Sequence, residues 1–403
     1  LKRIVLISTG QPTLNPRLVK EADALVKEGY DVTVLYQHWS NWAIGPDQEL
    51  LKNKKWSSIL VGGNPAEKRL SYFITRLLYK WHRFISRFIG LRFGLAELSV
   101  ARCSWLLALV ARNIKADLYI AHNLGALPAA VFASKHNRAR VGFDAEDFHR
   151  FETSDDETNI DVKRNIYLEE KYIPQTNYLT AASPLIASAY QQIFNKNAVS
   201  ILNVFEPFTS PVKATEEQKL KLFWFSQTVG PHRGIEEIIK AINLSGYEFN
   251  LYLLGEVDDI YRQKLMNMLS SSDTLHFLAP VPQQDLFSIA ATFDIGLATE
   301  TGVPLNRDIC LTNKIFTYIQ TGLATIATNT TAQVDLLTQH DQIGFTFAQG
   351  DVQQLSLLLD LYHENRNLLF EHRRQAYLSG QNTFNWEIES KKFLEVIHQT
   401  LSS

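Results

Sequence analysis

Two stretches of the chain set cations and a carboxylate where a negatively charged ligand would be held. In "FSQTVGPHRGIEEIIKAI", residues 225–242, an apolar run passes through a turn holding Gly230, Pro231, His232, Arg233 and Gly234 into a helical pattern that begins near Ile235. Glycine at 230 and 234 permits backbone conformations and close approach that a side chain would forbid. The free N–H groups of a helix N-terminus, with Arg233 beside them as a fixed cation, make an anion site, most simply for phosphate. The plain alternative is an ordinary strand-to-helix turn with a solvated arginine. In "ATETGVPLNRDICLTNKIFTYIQTGLATIAT", residues 298–328, a strand end leads through Glu300, Arg307 and Asp308 to a helix opening at Thr312, Asn313 and Lys314. Thr312 suits the N-cap, and Lys314 in the first turn is poorly placed for the helix dipole, which points to an external negative charge unless it is a surface lysine. Gly322 then ends the helix before the next buried strand.

The elements that must carry these loops follow from the alternation of short apolar runs with amphipathic segments. Strands are expected at 3–8, 31–36, near 117–121, 140–143 and 178–181, with helices between, the first over 16–28. This rhythm of βαβ units implies a parallel sheet covered on both faces. After a Pro- and Ser-containing connector it restarts with "KLFWFS", "FNLYLLG", "LHFLA", "DIGLAT" and "LATIAT". At 403 residues, 45% of them hydrophobic, the chain is long enough for two large cores. The expected organisation is α/β: a doubly wound, Rossmann-like domain at 1–203, a hinge at 204–217, a second such domain at 218–383, and a C-terminal helix at 384–403. Two such domains facing each other place ligands in a central cleft at the carboxyl ends of their strands.

Further motifs, in order, turn this outline into a resemblance. "FSQTVGPHRGIEEIIKAI", "LGEV" (254–257), "FDIGLATE" (293–300), "LTNKIFTYIQTGLATIATNTTAQ" (311–333), "IGFTFAQGD" (343–351) and "FNWE" (384–387) resemble the donor half of GT-B glycosyltransferases of the family 4 type. "STGQPTLNPRLVKEADALVKEGYDVTVL" (8–35), "AHNLGALPAA" (121–130) and "GFDAEDFHR" (142–150) look like the acceptor half of the same enzymes. The resemblance spans nearly the whole chain. It implies a C-terminal helix that returns to the N-terminal domain. It also implies sugar transfer from a nucleotide diphosphate sugar, UDP- or GDP-linked, usually with retention at the anomeric carbon and with no required metal or other cofactor. The acceptor it implies is a glycan or lipid-linked saccharide of the bacterial cell envelope.

Within that resemblance Arg233 matches the basic residue that holds the donor diphosphate, flanked by Gly230, His232 and Gly234, and Asn313 and Lys314 face the same group. Glu300 matches the first acid of a Glu-x7-Glu pair that contacts the donor sugar. Physically, the cations and helix N-termini offset charge developing on the departing diphosphate. The chain departs from the pattern at Thr228, where many members have arginine, and at Thr317, where the second glutamate would fall. A hydroxyl at 317 still donates to a ribose or phosphate oxygen. Asp308 completes an E-x7-D spacing whose role stays open. On the acceptor side, His122 follows the strand "DLYIA", and Asp144, Glu146, Asp147 and His149 follow "VGF". An imidazole or carboxylate there would position or deprotonate an acceptor hydroxyl, with His122 and Asp147 the first choices; the alternative is hydrogen bonding to loop backbone. Gly10 and Gln11 in "STGQP" border the same cleft.

Residues 69–89 carry Arg69, Arg76, Lys80, Arg83 and Arg87 on one narrow helical stripe, with Phe73, Leu77, Trp81, Phe84 and Phe88 in an arc beside it. This basic amphipathic pattern suits an anionic membrane surface. The alternative is that the apolar arc packs on the domain core. The net charge of −2 offers nothing for nucleic acid. Cys103 and Cys310 are too few for a disulfide framework and fit a reducing cytoplasm. The longest apolar run, "CSWLLALVA" at 103–111, is about half of what a bilayer span requires. The expectation is a cytoplasmic enzyme, peripheral at most. Two rivals keep the fold: a nucleotide-sugar epimerase and a non-catalytic binding module. A dinucleotide oxidoreductase is disfavoured because no G-x-G-x-x-G follows the first strand.

Overall fold

A computed structural model describes residues 1–402 apart from Pro211, Glu216 and residues 271–273. It divides into two compact units, Leu1–Ile201 with Ser390–Ser403, and Leu202–Glu389.

The first unit is built on strands β1 (Arg3–Ser8), β2 (Asp31–Gln37), β3 (Ser57–Val61), β4 (Leu118–His122), β5 (Arg140–Ala145), β6 (Tyr178–Ala181) and β7 (Ala198–Ser200). They form one parallel sheet in the order β3-β2-β1-β4-β5-β6-β7. Ile4, Val5, Leu6 and Ile7 are all fully buried, as expected of a strand covered on both faces. The helix Pro16–Lys27 is started by Asn15, whose side chain accepts from the Leu18 N–H, and by proline at its first position. Its buried face carries Arg17 and Glu21 beside Leu18 and Leu25. The later part of the last helix, Trp386–Ser402, belongs to this unit: Lys2 Nζ donates to the Leu401 carbonyl at 2.6 Å, and His398 lies 3.2 Å from Glu28.

The second unit has strands β8 (Leu220–Thr228), β9 (Phe249–Glu256), β10 (Leu275–Leu278), β11 (Ile295–Ala298), β12 (Ala324–Thr328) and β13 (Gly344–Phe347), again parallel, in the order β10-β9-β8-β11-β12-β13. The connector after Leu202 has little regular structure and is fastened within this unit. Phe208 N–H donates to Gln320 at 3.1 Å, and Arg373 reaches Thr215 at 2.7 Å. Strands β3, β7 and β13, which the apolar pattern does not announce, all lie at sheet edges. An edge strand is covered on fewer sides, so β3 is exposed over its first three residues and shows no continuous apolar run.

The helix Arg69–Ile89 turns its small polar residues inward. Thr75 and Ser86 are buried, while Phe73, Leu77 and Phe88 are 64%, 70% and 74% exposed. The apolar arc therefore does not pack on the core. The basic stripe also divides, because Arg83 is bound by both oxygens of Asp161 and Arg76 turns to His38, leaving Arg69, Lys80 and Arg87 exposed.

Candidate functional site

The strand order of the second sheet reverses between β8 and β11, and the loops leaving their carboxyl ends carry the residues singled out above. After β8 the chain turns through His232 and Gly234, both left-handed at φ 60° and 76°, into the helix Ile235–Leu244. A Cβ at Gly234 would lie 2.5 Å from the Thr299 Cβ, so the two loops approach as closely as only glycine allows. Thr299 binds them together: its hydroxyl donates to the Arg233 carbonyl at 2.8 Å and accepts from Trp224 Nε1 at 3.1 Å. The half-buried Arg233 guanidinium rests on Ser226 Oγ at 2.9 Å. One residue beyond Thr299, Glu300 accepts from Lys314 Nζ at 2.7 Å and from the Thr312 hydroxyl at 3.1 Å, all at Oε1. Burial opposes ionisation of Glu300, yet Lys314 and Thr312 hold its carboxyl below the ordinary value. Lys314 Nζ also stands 5.2 Å from the centre of the Trp224 ring. Arg233, Thr299, Trp224, Lys314 and Glu300 thus form one connected group at the switch point.

In the first sheet the order reverses between β1 and β4, where the register sets Ser8 beside His122 and His122 beside Asp144. His122 is fully buried. Its Nε2 lies 3.3 Å from Glu21, and its Nδ1 lies 3.1 Å from Glu146 and 3.5 Å from Asp144. Burial alone would lower the imidazole pKa, but Glu21, Glu146 and Asp144 outweigh it and raise it to about 10. Asp144 is gripped by Arg17 through Nε at 2.6 Å and Nη2 at 2.7 Å, and Thr180 donates to it at 2.6 Å. Burial opposes its charge, and Arg17 still holds it down at about 2. Glu21 is raised by burial and by Asp144. Glu21, His122 and Asp144 come within 4.8 Å of one another, as a metal site requires. Arg17 already pairs with Asp144 there, and the imidazole, held toward its charged form, would have to release a proton before it could ligate a metal. Glu146, 23% exposed, is where this network reaches the surface.

Comparison with known proteins places this architecture. No protein-family model matches the chain, and no curated protein matches it. Solved structures do. HepE of Anabaena, crystallised with UDP-glucose, aligns over 99% of this chain and 100% of its own at a TM-score of 0.69 and 14% identity. A glycosyltransferase of Rickettsia africae aligns over 99% of both chains at a TM-score of 0.69 and 12% identity. A Staphylococcus aureus TarM variant, in complex with fondaparinux, alpha-GlcNAc-glycerol and UDP, aligns over the whole of both chains at 0.69 and 9%. The chain has a GT-B fold. At these identities the likeness is one of fold, and its chemistry has to be argued from its own residues.

Several expectations for the second unit need correction. Gly230 takes no left-handed conformation, and a Cβ there would meet nothing closer than Thr228 at 4.0 Å, so only Gly234 is required by geometry. Thr312 occupies the N-cap, but its hydroxyl goes to Glu300 instead of the helix. Lys314 has an internal partner in Glu300. The Thr317 hydroxyl is fully buried and donates to the Asn313 carbonyl at 2.9 Å, one helical turn back, so it has no proton for a ligand oxygen. The Asn313 side chain accepts from Asn203 at 3.1 Å. Asp308, left open by its spacing, accepts from the backbone N–H and hydroxyl of Thr331 at the start of the helix Thr331–Gln339.

The residues expected on the acceptor side, in the first unit, are sorted the same way. His122 is enclosed by Glu21, Glu146 and Asp144, which hold its imidazole toward the charged form and so oppose a role as base. Gln11 is buried and structural: its Nε2 donates to Asp47 at 2.6 Å, and its Oε1 accepts from the Trp39 and Ser40 N–H groups at 2.9 and 2.7 Å. Gly10 N–H donates to Ser8 Oγ at 3.0 Å in the loop after β1. His149 is buried, pairs with Glu152 at 2.8 Å and is raised to about 9, with burial opposing and Glu152 prevailing. Asp147 and Glu146 remain partly exposed beyond the end of β5. Sequence reasoning missed Thr299, Trp224, Arg17 and Glu21. Thr299 was signalled only by its place after a buried strand, and Glu21 reads as a solvated charge in a helix.

Proposed function

We propose that the chain transfers a sugar from a nucleotide diphosphate sugar, UDP- or GDP-linked, to a glycan or lipid-linked saccharide, with retention and without a required metal. The observation that carries this reading is the convergence of Arg233, Lys314 and Glu300 at the switch point of the second sheet. Breaking the bond from the anomeric carbon to the donor phosphate leaves its electron pair on the diphosphate. Arg233, Lys314 and the N-termini of the helices Ile235–Leu244 and Asn313–Thr321 offset that charge. Glu300, kept ionised by Lys314, accepts from sugar hydroxyls. Glu146 and Asp147 are the acceptor-side carboxylates that solvent reaches. HepE with UDP-glucose and TarM with UDP support the donor class. The test is hydrolysis of labelled UDP, GDP and ADP sugars without acceptor. Neither binding nor turnover with any of them would sink the proposal, and an isomerised sugar from donor alone would favour the epimerase reading.

We further infer that the helix Arg69–Ile89 rests on an anionic bilayer surface. No helix among the described residues is long and apolar enough to cross a membrane. The exposed arc of Phe73, Leu77, Trp81, Phe84 and Phe88 is bordered by Arg69, Lys80 and Arg87, which suits an interface of acyl chains below anionic head groups. A second copy of the same face would bring like charges together.

A further inference from the structure

An open cavity of about 690 Å3 lies between the loop after β2 and the helix Arg69–Ile89. Trp39, Trp42, Tyr72, Arg76, Lys80 and Arg102 line it, and among the described residues its lining holds no carboxylate. Neutral groups hold both arginines. Arg76 Nη2 lies 2.9 Å from His38 Nδ1 and donates to the His38 carbonyl at 3.1 Å, while Arg102 Nη1 donates to the Trp39 carbonyl at 2.7 Å. Arg76 lies over the Tyr72 ring at 3.6 Å and Arg102 over Trp39 at 4.0 Å. These contacts fix the guanidiniums in place without cancelling their charge. The nearby carboxylate of Asp47 is buried and occupied by Gln11 and the Thr13 N–H. His38 brings no negative charge in either protonation state, and burial together with Arg76 and Arg102 lowers its imidazole pKa. Trp39 and Trp42 stay more than half exposed.

Fixed, uncompensated cations beside exposed indoles fit a ligand with an anionic end and a stackable ring. Phosphate suits the anionic end because its several oxygens can engage three cations at once. A sugar ring suits the indoles, which cover its C–H faces. The apolar ridge of the same helix passes one residue from Lys80, at Trp81, and continues through Phe84 and Phe88, so a lipid tail on the phosphate would have a surface to follow.

We propose that this cavity binds the sugar phosphate head of a lipid-linked acceptor, with Arg76, Arg102 and Lys80 on the phosphate and Trp39 and Trp42 on the ring. The acceptor role rests on the transferase reading above; the anion site does not. The test is calorimetric titration of the full chain with glucose 1-phosphate, in the background Arg233→Ala so that the second unit's anion site is disabled. Binding is expected there, weakened roughly tenfold or more by Lys80→Gln and by Arg76→Gln, and absent with glucose alone. Lys80 is exposed on a helix, so its substitution keeps the test valid if Arg76→Gln disturbs the loop. No binding, equal binding of glucose, or indifference to Lys80→Gln overturns the assignment. UDP titration of the unsubstituted chain separates the two readings: UDP bound with glucose 1-phosphate ignored overturns the cavity alone, and the reverse overturns the transferase. Vesicles doped with a polyprenyl-phosphate-linked glucose should retain the chain better than phosphatidylglycerol vesicles of equal charge. Equal retention would overturn the lipid-borne source in favour of a soluble sugar phosphate.

Discussion

Lys314 Nζ and Glu300 Oε1 meet at 2.7 Å with both side chains largely buried, and the ammonium holds the Glu300 carboxyl below its ordinary value. The pair is satisfied before any ligand arrives, and a diphosphate entering would compete with Glu300 for the ammonium. Lys314→Ala strands a buried carboxylate and should cost about 1–3 kcal/mol. Glu300→Gln should be milder in stability while lowering turnover more than UDP affinity, because the lysine is then released to the diphosphate. The Glu300 carboxyl is depressed on folding. Its contribution is therefore present above about 4.5 and lost as pH falls through the lower folded value. Urea melts of the wild type and Glu300→Gln across that acidic range check this; parallel pH curves would contradict it.

His122 makes the opposite pH signature. Its pKa is raised on folding to about 10, so its contribution is complete below the ordinary value of 6.5 and is lost as pH rises toward about 10. His122→Phe leaves Glu21 and Asp144 with Arg17 as their remaining cation and should destabilise by about 3–5 kcal/mol. NMR of the imidazole should show no titration between about pH 6 and pH 8, where an exposed histidine changes charge. A midpoint within that interval would restore His122 as a candidate base.

Membrane docking predicts a substitution that harms binding without harming the fold. Leu77 and Phe88 are exposed, so Leu77→Glu with Phe88→Glu should shift stability by less than about 0.5 kcal/mol per site. Each removes an apolar side chain whose insertion is worth about 1–2 kcal/mol and adds a charge repelled by anionic lipid. Co-sedimentation with phosphatidylglycerol vesicles should fall at least tenfold, and added salt should weaken the wild type. Undiminished sedimentation of the double variant would remove this surface from consideration.

Much of the fold is legible in the sequence because parallel strands buried on both faces read as unbroken apolar runs, and β1, β4, β8 and β11 do. These strands flank the two switch points, so the loops holding Arg233 and Glu300, and His122 at the end of β4, were placed with them. Of the four edge strands only β10 was legible, as "LHFLA"; β3, for one, is exposed along most of its length. Nor was the sense of the helix Arg69–Ile89: a helical period defines a face, but whether Thr75 or Phe73 turns inward depends on what the rest of the chain brings against it. Partnership was the least legible property. Glu21 and His122 are about a hundred residues apart, and nothing in either segment states that one neutralises the other. Lys314 could be read as facing a ligand because nothing in the stretch 298–328 states that the loop after β11 folds Glu300 back onto the helix start.

Gly230 and Gly234 look interchangeable in the turn after β8 and should behave differently. At Gly230 the backbone is not left-handed and the space around a new Cβ is open, so Gly230→Ala should be neutral or gain about 0.4–1 kcal/mol by restricting the unfolded chain. At Gly234, φ is 76° and the Cβ would meet Thr299 at 2.5 Å, with the Thr299 Oγ1 at 2.8 Å. Gly234→Ala must therefore push Thr299 away, breaking its bonds to the Arg233 carbonyl and Trp224 and shifting the adjacent Glu300. A loss of about 2–3 kcal/mol is expected from backbone strain, the clash and the lost hydrogen bonds together. UDP affinity should fall with it, since Arg233 and Lys314 are both positioned through that contact. Thermal melts and UDP titration of the two variants side by side decide the matter: equal behaviour would mean that the Gly234–Thr299 approach does not set the site.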